Sequence, residues 1–390
     1  MIARRVLCLT AALLIGYAIV RNAAVNMWAQ QAPESAARVW RDHPDVEISS
    51  VRMQISSAAR AGRVAPATVF PILSQVAVQD PLAADPFLVR GEQLRLRGDA
   101  TGAEQAFKAA QWRDPRSLPA AYFLAKQYFR EDQVVLGLRQ MAALARISPN
   151  GGQTAAPFIA SFATDPSNWP ALRATFRDNP RLAEPTFDIL SKNVATIPSL
   201  LALVTAQTFS AKASWFPRLL DTLINSGQYG MAKSLWARAS RAHSGELLHD
   251  AQFADRTSLA PFNWALTSNG VGLAERQAGR TLHVLYYGHA DGILATQLLT
   301  LRPGHYRLKY RLLSSRSGGK GGITWSVWCD KSFPALSSVT LEQGADRGLQ
   351  FTVPANCAAQ WLRLSGSSGG IAQQADVTIG ELRLEELSDA

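Results

Sequence analysis

Phe87 to Pro115 reads FLVRGEQLRLRGDATGAEQAFKAAQWRDP, with the large side chains Phe87, Leu94 and Phe107 set between the small ones Gly91, Gly98, Ala103 and Ala110. Small residues at Gly91 and Ala103 allow two helices to approach closely, and Phe107 fills the space between successive units. Pro115 ends the second helix, because proline has no N–H to donate and its ring clashes with the preceding turn. The prolines also set a scale. Pro81, Pro115 and Pro149 follow one another at steps of 34 residues, the length of a helix-turn-helix repeat.

Read outward, the pattern thins and then returns. Before Pro149 the matching residues are Leu124, Ala125, Tyr128 and Met141, with Gly137 where an alanine is usual. Further on, Phe216, Leu219, Leu223, Gly227, Tyr229, Ala232, Trp236 and Ala239 fall on the same spacings. Between them, residues 150–214 keep a helical period broken by Pro166, Pro170, Pro180 and Pro185, as short irregular helices would. Residues 30–80 read as a degenerate first repeat or cap. The Phe87–Pro115 segment closely resembles a tetratricopeptide repeat. That resemblance implies a helical-hairpin solenoid that binds a protein partner and carries no catalytic residues of its own.

From Ser258 onward helical periodicity gives way to alternation, with Gly, Pro, Ser and Asn between the runs. Strands are expected over 281–287, 305–313, 323–329, 348–353, 360–365 and 377–384. Short strands with turns between them indicate a sandwich or jelly roll. Phe262-Asn263-Trp264, Leu282-His283-Val284, Gln297-Leu298-Leu299, Pro303-Gly304-His305-Tyr306, Phe351-Thr352-Val353-Pro354 and Asp376-Val377 carry a further likeness. Over roughly 259–387 the chain resembles jelly-roll carbohydrate-binding modules, which implies glycan binding and, in some modules, a structural calcium near a position such as Asp376. The rest of a calcium ligand set is not identifiable, and no metal or cofactor is expected.

Strand alternation sorts the side chains of these runs. Tyr306, Leu308, Tyr310 and Leu312 face the core, with Arg307, Lys309 and Arg311 on the other side. Ile323, Trp325, Val327 and Cys329 point in and Trp328 out; Leu362 and Leu364 point in, Trp361 and Arg363 out. If the outer faces belong to one sheet, Arg307, Lys309, Arg311, Trp328, Trp361 and Arg363 form a basic aromatic surface. Sugar rings stack on tryptophan and guanidinium groups pair with uronate carboxylates, so an acidic polysaccharide is the expected ligand. The alternative is that the helical array covers both tryptophans.

The N-terminus and the cysteines bear on the compartment. Arg4 and Arg5 precede a charge-free run from Val6 to Val20, closed by Arg21. The run reads as an uncleaved transmembrane anchor, with a cleaved signal as the alternative, and in either case the Arg pair stays cytoplasmic. Cys329 and Cys357, 28 residues apart, are expected to form a disulfide in an exported domain, the alternative being two buried thiols.

The chain of 390 residues carries 40 Lys+Arg and 30 Asp+Glu, a net +10. Of that, +8 lies before residue 260, spread without any block of like charge, so nucleic acid is not an expected partner. No HExxH, GxSxG, phosphate loop or carboxylate pair is present. Gly318–Gly322 is glycine-rich but joins two expected strands, which is a hairpin and not a phosphate cradle. His243 and His249 do not share a helix face.

The expected fold is multidomain α + β. It comprises a transmembrane helix over 1–27, an all-α tetratricopeptide-like solenoid over 28–257 and an all-β jelly-roll sandwich over 258–390. The expected function is a non-enzymatic scaffold of the bacterial inner membrane, with its bulk in the periplasm. It would hold a protein partner on the helices and a polysaccharide on the sandwich, in envelope or exopolysaccharide assembly or export. A purely structural adaptor is the alternative, and a glycan-active enzyme is disfavoured for want of an acid/base pair.

Overall fold

The computed structural model describes residues 2–63, 66–206, 208–242, 245–317, 322–332, 334–341, 348–368 and 374–387. His243 and the Gly318–Gly321 part of the glycine-rich loop lie outside the described residues. The chain forms two compact units, residues 1–162 with 167–183, and residues 163–166 with 184–390.

The first unit begins with α1 (Ile2–Trp28), of which Cys8–Trp28, with mean hydropathy 1.7, is long and apolar enough to cross a membrane. Leu9, Leu13, Leu14, Ile15, Tyr17, Ile19 and Val20 are exposed around its circumference. The last two turns behave differently. Val25 and Ala29 are buried against Ala36 of α2 (Pro33–Val39) and Val46 of α3 (Pro44–Arg60). Arg21 donates from Nε to the Val39 carbonyl at 3.3 Å and lays its guanidinium 3.9 Å from the Trp40 ring centroid.

The period read from the prolines is the period of the helices. α4 (Val69–Gln79), α6 (Ala100–Arg113) and α8 (Val134–Ile147) each stop two residues before Pro81, Pro115 and Pro149. At each end the next N–H, of Asp80, Asp114 and Ser148, closes onto Val76, Ala110 and Leu144. The partner helices are α5 (Asp85–Leu96) and α7 (Leu118–Arg130), and Asp99 and Ser117 cap α6 and α7 through their side chains. Gly91 is required at the α5–α6 crossing, since a Cβ there would lie 2.7 Å from the Phe107 ring. Gly137, where alanine is usual, answers a larger neighbour, as its Cβ would stand 2.5 Å from Phe129. Two further helices, α9 (Gly151–Phe162) and α10 (Trp169–Asp178), complete the unit.

The second unit contains most of α11 (Pro180–Leu190), then α12 (Ile197–Leu203), α13 (Phe216–Asn225) and α14 (Tyr229–Ser240). α13 buries Phe216, Leu219, Leu220, Leu223 and Ile224, one stripe at spacings of three and four, and α14 answers with Tyr229, Ala232 and Trp236.

The remainder is a sandwich of two five-stranded antiparallel sheets. Its strands are β1 (Ala265–Leu266), β2 (Gly272–Gln277), β3 (Thr281–Tyr286), β4 (Gly292–Leu299), β5 (Gly304–Ser317), β6 (Gly322–Cys329), β7 (Ser337–Thr340), β8 (Leu349–Val353), β9 (Gln360–Ser367) and β10 (Ala375–Leu387). One sheet runs β1-β4-β9-β6-β7 and the other β2-β3-β10-β5-β8. The expected strands are present, and β1, β2, β4 and β7 are added to them. Between the sheets lie Tyr286, Leu308, Tyr310, Trp325, Val327, Leu362 and Leu364, all buried, as alternation requires.

The loop after α14 is tied to the sandwich. Asp250, its side chain 3% exposed, pairs with Arg276 of β2 at 3.2 Å. Asn263, buried, donates to the Asp255 and Ser258 carbonyls and accepts from Arg276. Trp264 donates to the Asp250 carbonyl at 3.1 Å and packs on Trp325. Cys329 and Cys357 form the disulfide, with Cα atoms 5.6 Å apart.

Candidate ligand face on the β-sandwich

The two sheets divide the expected surface. Arg307, Lys309 and Arg311 stand on β5, in the second sheet, whereas Trp328, Trp361 and Arg363 stand on β6 and β9, in the first. The expectation of a single surface is corrected on this point. Outward side chains of opposite sheets of a sandwich point in opposite directions.

The β5 cations have local partners. Lys309 Nζ lies 2.7 Å from Glu385 and Arg311 Nη1 lies 2.9 Å from Glu381, both on the neighbouring β10. The hydrogen bond from Lys309 holds the Glu385 carboxyl below its ordinary range. These are solvated cross-strand ion pairs of the kind that ladders of opposite charge make on an open sheet face.

On the first sheet the register brings the other residues together. Trp328 and Trp361 are directly opposite, as are Ser326 and Arg363, and Thr324 and Ser365. On the far side of β9, Thr296 faces Arg363 and Leu298 faces Trp361. Residues paired across antiparallel strands share a face, so these side chains form three rows across the sheet. Both tryptophans and Arg363 are half-buried. The Arg363 guanidinium lies 5.6 Å from the Trp328 ring centroid and 5.9 Å from that of Trp361, within cation–π range.

One end of this face is occupied by helical residues of the same unit. Tyr229 of α14 donates its phenol proton to one oxygen of Asp330, and Trp361 Nε1 donates to the other at 2.9 Å. Lys331 Nζ reaches the Asn225 carbonyl at 2.8 Å. Leu298, opposite Trp361, is buried, and the adjacent Phe262 packs on Trp236 of α14 with ring centroids 5.6 Å apart. The other end, with Thr324, Ser365, Ser338 and Thr340, is polar and at least partly open.

Neither Asp330 nor the contact that Tyr229, a repeat position, makes with it is legible in the sequence. Asp330 lies just past β6 in a turn, and nothing local marks it as the acceptor for groups at positions 229 and 361. Asp376, the acidic position named for calcium, instead accepts from His283 Nε2 at 3.0 Å. Asp291 accepts from the Ser368 backbone N–H and hydroxyl, which hold its carboxyl below the usual range. Among the described residues no group of three or more His, Cys, Asp or Glu is placed to hold a metal.

No protein-family model matches the chain, and no curated protein matches it. Among solved structures, the chain is similar to TmCBM61 in complex with β-1,4-galactotriose at 12% identity, over 32% of this chain and 88% of the other, with a TM-score of 0.22. It is similar to a CBM4 structure at 12% identity, over 36% of this chain and 99% of the other, with a TM-score of 0.25. A likeness to the MamA RS-1 ArsTM double mutant covers 50% of this chain and 93% of the other at 15% identity, with a TM-score of 0.23. At such values the architecture rests on the chain's own helices and strand pairing: a helical array followed by an all-β sandwich.

Proposed function

We propose that this protein is a non-enzymatic exported scaffold, anchored in the bacterial inner membrane by α1, with its bulk in the periplasm. Its helical repeats take a protein partner and its sandwich takes a polysaccharide, in envelope or exopolysaccharide assembly or export. The observation that carries the glycan part is the opposed pair Trp328 and Trp361 on the first sheet, with Arg363 in the next row and Thr324 and Ser365 in the row beyond it. Aromatic rings with guanidinium and hydroxyl donors on the same face are a combination that binds the apolar face and the polar rim of a sugar ring. Retention of the anchor is supported by Val25 and Ala29. Removal of α1 would strip these buried residues from α2 and α3 and leave Trp40 without Arg21. The disulfide supports an oxidising compartment.

The second reading, a structural adaptor that binds no glycan, is favoured by the Tyr229–Asp330–Trp361 contacts, which use one edge of Trp361 to hold helix and sandwich together. Affinity electrophoresis of the full chain against acidic and neutral polysaccharides separates the two. Retardation by any of them, lost in Trp328→Ala and Trp361→Ala, is expected for the scaffold; mobility unchanged by every polymer leaves the adaptor.

A further inference from the structure

Among the described residues no carboxylate contacts Arg363. It is half-buried between two indoles, and its Nε atom is buried with no hydrogen-bond partner among the described residues. Burial pushes its pKa down and the nearby Asp330 charge works against that fall. Yet Asp330 makes no ion pair with it among the described residues; one of its carboxylate oxygens accepts from the Tyr229 phenol and the other from the Trp361 indole. The contrast with the second sheet is direct. There Lys309 and Arg311 each have a glutamate within 3 Å.

The buried Nε lies out of a ligand's reach, but the two Nη groups are not buried and have no hydrogen-bond partner among the described residues, so they are the donors left for an acceptor from outside. Guanidinium groups take carboxylates through parallel N–H···O bonds, a geometry that a fixed Arg beside a stacking platform offers to a ring-borne acid. On the reading that this face binds a polysaccharide, we infer that its ligand carries a carboxylate on a sugar ring. Arg363 takes the carboxylate and Trp328 and Trp361 take the ring. Asp330 is a positioning residue, which holds the Trp361 indole by its Nε1 edge. The ligand class is therefore a uronate-containing polysaccharide, and Arg307, Lys309 and Arg311 do not contact it.

The test uses the full chain in detergent with polygalacturonate and alginate, with the same two polymers after reduction of their carboxyls to alcohols, and with neutral galactan and cellulose oligomers. Binding is read by affinity electrophoresis and calorimetry. The acid polymers are expected to bind, and their reduced forms to bind about tenfold or more weakly, the loss of one charge-assisted contact. Arg363→Gln removes the difference between acid and reduced forms, Arg363→Lys restores part of it, and the combined Arg307→Ala, Lys309→Ala and Arg311→Ala variant leaves it unchanged. Circular dichroism confirms that the variants are folded, and the wild-type comparison needs no variant. Equal affinity for acid and reduced polymers overturns the carboxylate assignment, as does binding of the neutral oligomers alone, with polysaccharide binding left standing in both cases. No binding to any polymer overturns both.

Discussion

Tyr229, at the start of the last helix, gives its phenol proton to Asp330, at the end of strand β6 and 101 residues away in the chain. Burial and this hydrogen bond push the Tyr229 pKa up to about 12. A raised pKa stabilises the folded form fully below the unfolded value, about 10 for tyrosine, and the contribution is lost as pH rises through the folded value. Stability is therefore expected to fall between about pH 10 and 12, as followed by thermal unfolding. Tyr229→Phe should flatten that limb and cost about 1–3 kcal/mol at neutral pH.

Asp255 governs the acid side. Burial alone would raise its pKa, but hydrogen bonds from Ser258, His249 and the Thr257 amide outweigh it and hold the carboxyl far below the usual range. A depressed carboxyl pKa contributes stability above the unfolded value, near 3.9, that is lost as pH falls below it. Wild-type protein should lose stability progressively below about pH 4. Asp255→Asn should be less stable at neutral pH and show a shallower acid slope, measured by tryptophan fluorescence in denaturant at each pH.

Gly91→Ala places a methyl group against a ring that cannot easily retreat, since Phe107 is 2% exposed and stacked on Phe123 at 4.8 Å. Overpacking of this kind costs about 1–3 kcal/mol. Phe107→Leu makes room, so the double variant should lose less than the sum of the two single losses. A double-mutant cycle on denaturation midpoints checks this coupling.

The Asp250–Arg276 pair fastens the loop after α14 to β2, with Asp250 also accepting from the Ala254 and Asp255 amides. Removal of one partner of a buried pair leaves the other uncompensated, and Asp250→Ala is expected to cost about 3–5 kcal/mol. Replacement of both residues by apolar ones should cost less. Guanidinium unfolding of the three variants gives the comparison.

The disulfide closes a loop between positions 28 apart, worth about 3–4 kcal/mol in the chain-entropy model. Reduction should lower the unfolding midpoint accordingly. In unfolded, unreduced protein taken from cells, Cys329 and Cys357 should not react with a thiol reagent, while Cys8 should.

Local signals made much of this readable from the residues. The prolines at 81, 115 and 149 gave the ends of α4, α6 and α8 because a proline beyond a helix end acts through its own ring and missing donor. Alternation put Trp325, Tyr306 and Leu362 in the core and Trp361 and Arg363 outside because the strand period is fixed by the backbone. The strands that escaped are those without that signal: β2, GLAERQ, carries two charges, and β7, SSVT, is short and polar.

Sequence alone thus determined the repeat period, the inward or outward side of each recognised strand, the apolar N-terminal helix and the cysteine pair, all properties set within a few residues or by composition. Tertiary structure decided which sheet each strand joined, and with it the separation of Arg307, Lys309 and Arg311 from Trp328, Trp361 and Arg363. It also decided that Asp330 accepts from Tyr229 and Trp361, and that Arg363 has no carboxylate contact among the described residues of that face. Strand order and long-range hydrogen bonds depend on contacts between segments up to a hundred residues apart, and no local pattern encodes which distant partner a strand or a carboxylate will meet.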